Sequence, residues 1–277
     1  MKNDLKNLET PLLEIDIFKD SHKLKHTFVK DESKNIFGTV KDRRNFQIVQ
    51  VANRLKVDKI VLITSGNNGY SLSNFTRGTT IKVVCVISKD LPVKIKKLLY
   101  DFAYQVIELN LDHKILRPEE LITFAREKDD EVIWDVTNGF EENYFSLVDE
   151  IFKDIKPDYI VVPIGSGGIF IGVAEAIEKR GGKTRVIGIG VQNSFQSFAD
   201  KLPTPWTPYS KALLHYQKMG HPIYRLTEEE IKKTYHKFQN VVDCEPTSAV
   251  VFAAPEKHKF KSDDKIVFVN SGKGLVS

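Results

Sequence analysis

Short runs of β-branched and aliphatic residues recur along this chain, each followed by a stretch with helical spacing. That alternation constrains the fold more than any other feature. The runs are Lys59 to Ile63, Ile81 to Ile87, Gln105 to Leu109, Glu131 to Trp134, Tyr159 to Ile164, Arg185 to Ile189 and Lys265 to Val269. Most are continuous rather than alternating, the pattern of parallel strands covered on both faces. Between them, Arg44 to Leu55 places Phe46, Val49, Ala52 and Leu55 near one helical face, and Ser146 to Ile155 and Ile169 to Ile177 behave alike. Glu228 to Phe238 reads as a late, polar helix. The alternation predicts an α/β fold with mainly parallel sheets. Gln192 to Tyr224 holds four of the eleven prolines, lacks a clear period, and is expected to be irregular.

The 277 residues suffice for one large domain or two modest ones. Hydrophobic residues make up 41% and charged residues 28%, the balance of a globular protein. The net charge of +4 comes from 41 basic against 37 acidic residues, interspersed along the chain, so no nucleic-acid partner is expected. Two cysteines, Cys85 and Cys244, exclude a disulfide framework and a CxxC metal pair, and Cys85 lies inside an apolar run. His22 and His26 have HxxxH spacing, but no glutamate follows His22 and no third ligand is evident, so no metal is expected. The start, Met1-Lys2-Asn3-Asp4, lacks the apolar stretch of a signal peptide. No segment approaches the roughly 20 apolar residues of a membrane span. A soluble cytoplasmic protein with no membrane partner is the expectation.

Four loops carry candidate chemistry, most of them where a strand ends and a helix begins, as ligand sites of open parallel sheets do. In the first, Gly38-Thr39-Val40-Lys41-Asp42-Arg43-Arg44, three cations crowd a predicted helix start, where the macrodipole disfavours them. A lysine in a positive, partly desolvated place loses its proton more easily, and a neutral amine is what Schiff-base chemistry needs. The alternative is a solvated basic helix start. The second loop, Thr64-Ser65-Gly66-Asn67-Asn68-Gly69, offers N–H and hydroxyl donors to an anion such as a carboxylate, or is a plain N-cap turn. The third, Gly165-Ser166-Gly167-Gly168, follows a buried-type strand and opens a helix, which makes a phosphate cradle. It lacks the Gly-Lys-Ser/Thr of a Walker loop. Phe170 replaces the third glycine of a dinucleotide fingerprint, and no ribose-binding acid ends the next strand. The fourth, Asn270-Ser271-Gly272, puts a hydroxyl at the end of the last strand.

In this order the loops resemble the pyridoxal-phosphate superfamily that contains cysteine synthase, threonine synthase and threonine dehydratase, of fold type II. Val29 to Ser33 with Asn35 and Gly38 to Arg43 is similar to the cofactor-lysine segment. By that resemblance Lys41 would carry pyridoxal 5'-phosphate as a Schiff base and act as the base at the substrate α-carbon. Thr64, Ser65, Gly66, Asn67 and Asn68 would bind the substrate carboxylate, with Asn67 also against the cofactor ring oxygen. Gly165, Ser166, Gly167 and Gly168 would hold the cofactor phosphate, and Ser271 would face the pyridine nitrogen. Thr10-Pro11-Leu12 and Cys244 to Ala249 are further matches, so the likeness spans nearly the whole chain. Two features depart from it. Ile169 stands where another phosphate-binding hydroxyl is usual, and Tyr70 where a smaller residue is common.

The resemblance implies two three-layer α/β/α domains with the cofactor in the cleft between them. Residues 1–41 and 146–277 would form the large cofactor-binding domain and 42–145 a small mobile one. It also implies a homodimer and a small amino-acid substrate. The expected reaction is β-replacement or β-elimination on a serine- or cysteine-type amino acid, through an aminoacrylate. The alternatives are threonine synthase or threonine/serine dehydratase chemistry, and a cofactor-binding homologue without turnover.

Overall fold

In the computed structural model, which describes residues 9–111 and 115–275, all seven apolar runs become strands. In chain order the strands are β1 (Leu12–Glu14), β2 (His26–Asp31), β3 (Lys59–Ile63), β4 (Lys82–Ser88), β5 (Gln105–Leu109), β6 (Ile133–Asp135), β7 (Tyr159–Pro163), β8 (Arg185–Val191), β9 (Ile223–Leu226) and β10 (Lys265–Asn270). The helices are α1 (Lys19–His22), α2 (Lys41–Arg54), α3 (Asn67–Phe75), α4 (Val93–Phe102), α5 (Pro118–Ala125), α6 (Phe145–Asp154), α7 (Gly168–Lys179), α8 (Ser210–Lys218), α9 (Glu228–Phe238), α10 (Pro246–Ala249) and α11 (Ala254–Lys257). Among the described residues, no helix is long and apolar enough to cross a membrane.

The elements fall into two units. One takes in the chain up to Val40 together with Glu141–Lys273, and the other Lys41–Phe140 with the chain from Gly274. The first contains a six-stranded sheet in the order β1-β2-β10-β7-β8-β9, parallel except for β1. Its strands are apolar on both faces because both are covered. Val161, Ile187, Ile266 and Phe268 pack with Leu226, Ile231 and Phe252 on one side. Ile160, Val162, Val186, Val267 and Val269 pack with Leu147, Ile151 and Val173 on the other.

The second unit contains a four-stranded parallel sheet, β5-β4-β3-β6. Val61, Val84 and Val86 bury one face against Leu116, Leu121 and Ala125. Cys85 lies wholly buried, and burial pushes its thiol up to about 12. Lys59 opens β3 with its side chain fully buried. Its amine meets Glu131 at 3.0 Å, Glu127 at 3.1 Å and the Ala125 carbonyl at 2.9 Å. Burial works against this charge, but the two carboxylates outweigh it and raise the lysine. The Glu131 carboxyl is held down at about 2, first by the Glu127 N–H that donates to it and then by Lys59. A depressed carboxyl stabilises the fold fully above its ordinary value of 4.5 and loses that contribution as pH falls toward 2. Glu131→Gln should therefore flatten the acid limb. Urea midpoints measured between about pH 6 and pH 2 should fall less steeply than those of the unaltered chain. Equal slopes would remove this pair as an acid-labile element.

Two expectations need correction, and strand β2 lies outside the apolar runs. Gln192 to Tyr224 is not irregular throughout, since it contains α8 and the start of β9. Only Tyr216 of α8 is buried, which leaves little period to read. Helix α2 begins at Lys41 rather than Arg44, and Leu55 is exposed. Its buried face is Ile48, Val49 and Ala52, with Asp42, Arg43, Arg44 and Asn45. Strand β2 went unrecognised because Thr27, Lys30 and Asp31 break its apolar pattern. All three are buried, and the Lys30 amine is satisfied from a distance by Glu150 at 2.6 Å and by the Thr10 carbonyl.

Candidate active site

In the second unit, the start of α2 is fastened to the start of α3. The buried Asp42 carboxylate accepts from the Ser71 hydroxyl at 2.5 Å. Asn45 Nδ2 donates to the Asn68 carbonyl at 3.1 Å and to Ser71 Oγ at 3.0 Å. The Arg44 guanidinium donates to the carbonyls of Gly139 and Val136. Asp42, Arg43 and Arg44 are thus buried anchors, and a solvated basic helix start is ruled out. Lys41 is half-buried at the first position of α2. The loop after β3 turns on its own threonine, whose Oγ1 accepts from the N–H of Gly66 at 3.0 Å and of Gly69 at 3.1 Å. The Gly66 N–H is therefore engaged internally. Gly69 permits close packing, for a Cβ there would lie 2.8 Å from Cys85 Sγ. The Tyr70 ring turns away onto Phe102 of α4, with 4.9 Å between centroids.

In the first unit, β7 and β10 are parallel neighbours, so the loops after them emerge at the same carboxyl end of the sheet. Gly165 to Gly168 follows β7, and Gly167, at φ 112°, adopts a backbone that side chains rarely take. The N–H groups of Gly165, Ser166, Gly167, Gly168 and Ile169 meet no acceptor among the described residues. Ile169 itself points into the core beneath. At the end of β10, Ser271 is buried, and its Oγ lies 2.8 Å from Ser248 Oγ. Antiparallel to this turn runs Gly38 to Val40. Thr39 bridges to Gly272, and the Val40 N–H donates to the Ser271 carbonyl at 2.8 Å. Lys41 is the next residue. Cys244, two residues before α10, has its thiol pushed up to about 12 by burial.

The structure thus joins the expected residues in two groups. Lys41 and the Thr64 to Gly69 loop share the second unit, while Gly165 to Gly168 and Ser271 share the carboxyl end of the first unit's sheet. Several neighbours of these groups were not foreseen. Thr207 Oγ1 donates to the Ser166 carbonyl at 2.5 Å, the Leu213 side chain approaches within 3.1 Å of where a Gly167 Cβ would sit, and the Tyr209 hydroxyl donates to Glu141. These residues brace the back of the Gly165 to Gly168 loop. They come from the proline-rich stretch and from a 3-10 turn at Glu141–Tyr144, where no local pattern marks them. Ser248 lay in a recognised stretch, but its contact with Ser271 spans 23 residues.

The family described as pyridoxal-phosphate dependent enzyme matches residues 4–272. The chain belongs to this family. Cysteine synthase B of Campylobacter jejuni is 25% identical over 188 residues, which cover 61% of this chain and 60% of that one. The chain thus matches less than two thirds of that relative's length. Among solved structures, an O-acetylserine dependent cystathionine beta-synthase from Helicobacter pylori superposes with a TM-score of 0.81 at 18% identity, covering 98% of this chain and 95% of that one. Maize serine racemase gives 0.82 at 18% identity, covering 97% and 89%. The shared architecture is the α/β fold of the type II enzymes. The residues present fit the family's cofactor. Successive unengaged N–H groups at the start of α7, reached over glycines, form a donor set for a phosphate, and the buried Ser271 hydroxyl is one for a heteroaromatic nitrogen.

Proposed function

We propose that this pyridoxal-phosphate enzyme catalyses β-replacement or β-elimination on a serine- or cysteine-type amino acid. The observation that carries the proposal is the neutral hydroxyl of Ser271, paired with Ser248, at the end of β10. A carboxylate there would keep a ring nitrogen protonated, whereas a hydroxyl does not. The weaker electron withdrawal that results favours prompt departure of a β-substituent over transamination. The kinship with cysteine synthase B supports the same reading.

When bound, the cofactor supplies a conjugated sink for negative charge at the substrate α-carbon. The N–H groups of Gly165 to Gly168 would hold its phosphate, and Ser271 its ring nitrogen. Lys41 would hold the cofactor and serve as the base for the proton at the substrate α-carbon. Thr64 closes the loop after β3 by engaging Gly66 and Gly69, and the Ser65 and Asn68 N–H groups of that loop would receive the substrate carboxylate. Asn67, between them in sequence, would contact the cofactor ring oxygen. Replacing Ser271 by Asp should raise the proportion of abortive transamination.

The test is to load the purified protein with cofactor and add O-acetylserine, serine, threonine and O-phosphohomoserine separately. O-acetylserine or serine should change the visible spectrum and release pyruvate, or yield a new thioether or thiol product when a sulfur nucleophile is present. A response confined to threonine or phosphohomoserine would replace this reading with dehydratase or γ-chemistry.

A further inference from the structure

Ser248 is completely buried in α10, and its hydroxyl has one proton and two acceptors within reach. One is Ser271 Oγ at 2.8 Å, the other the Gly272 carbonyl at 2.9 Å. The arrangement has two fully hydrogen-bonded states. If Ser248 donates to the carbonyl, Ser271 must donate to Ser248, and only lone pairs remain for whatever lies in front of Ser271. If Ser248 donates to Ser271, the Ser271 proton is released to point outward. The Gly272 carbonyl already accepts the Glu245 N–H at 3.1 Å, so it stays satisfied in the second state. Accepting one hydrogen bond also polarises a hydroxyl and makes it a better donor of the next.

We propose that Ser248 is a positioning residue: by donating to Ser271 instead of to the Gly272 carbonyl, it frees and polarises the Ser271 proton for an unprotonated ring nitrogen of the cofactor, the acceptor that favours this state. The inference rests on the reading of Ser271 given above and extends it to a residue that touches neither cofactor nor substrate. No covalent bond to hydrogen breaks. Both states interconvert by rotation about the two hydroxyl C–O bonds, and the Ser248 orientation selects between them. The depth of the electron sink then depends on a buried serine one residue removed from the ring.

The test uses the full chain loaded with cofactor labelled with 15N in the ring, and compares the unaltered protein with Ser248→Ala, Ser248→Thr and Ser271→Ala. In Ser248→Ala the ring-nitrogen resonance should move toward that of a non-hydrogen-bonded pyridine, and the cofactor dissociation constant should rise about five-fold. Ser248→Thr, which keeps the hydroxyl, should restore both. A purely structural role would lower the apoprotein melting temperature without moving the resonance. An unmoved resonance in Ser248→Ala, together with a shift in Ser271→Ala, would overturn the relay alone. No shift in Ser271→Ala would instead overturn the reading of Ser271. Should Ser248→Ala not fold, Ser248→Cys, nearly isosteric and a weak donor, serves the same comparison.

Discussion

Lys41→Ala should reduce turnover by at least ~10³-fold while leaving the protein folded, because the substitution removes the functional amine while the buried anchors of α2 stay in place. Lys41 is the first residue of α2, half-buried, and alanine is the better helix former. The contacts that hold this helix belong to its neighbours: Asp42 to Ser71, Asn45 to Asn68, Arg44 to the carbonyls of Val136 and Gly139. The melting temperature of the apoprotein should therefore stay within a few degrees of the original, a range that corresponds to about 1 kcal/mol for a chain of this size. The covalent consequence is separable from the kinetic one. Borohydride reduction of the cofactor-loaded protein should attach the cofactor to the peptide containing Lys41, and to no peptide of the variant. Retained turnover in Lys41→Ala, or labelling at another lysine, would end the proposed chemistry.

The scaffold was legible because covered parallel strands must be apolar on both faces, and runs such as Tyr159 to Ile164 and Lys265 to Val269 leave no other reading. Where a strand buries charge, that logic fails. Strand β2 reads as polar because its satisfying partner, Glu150, lies 120 residues away. The same distance problem divides the site. Its loops were visible because glycines and hydroxyl residues after a strand are local signals. The residues that brace or tune those loops, Thr207 and Tyr209 behind the glycines and Ser248 behind Ser271, act only through tertiary contacts. A departure also takes on meaning in three dimensions. Ile169 appears in sequence as a lost phosphate ligand, yet it packs in the core under α7 and leaves the backbone donors above it open.

Those donors can be challenged without disturbing the fold. Gly168→Asp should lower affinity for pyridoxal 5'-phosphate by about 100-fold or more, because it sets a carboxylate beside a group carrying roughly two negative charges. Gly168 is the position that permits the experiment. It is the first residue of α7, its φ is not positive, and an added Cβ would lie 3.6 Å from Glu141 Oε1, an ordinary contact. Gly167 does not serve, since at φ 112° any side chain adds strain and confounds stability with binding. At a helix start an aspartate is favoured by the macrodipole, which offsets repulsion from Glu141, so the apoprotein should melt near the original temperature. Stability and affinity would then part company, which steric damage does not produce. Gly168→Asn, the same shape without the charge, should lose about ten-fold at most. Titration followed by the absorbance of bound cofactor measures all three proteins. If the aspartate variant bound as tightly as the asparagine variant, the phosphate would have to be held somewhere other than the start of α7.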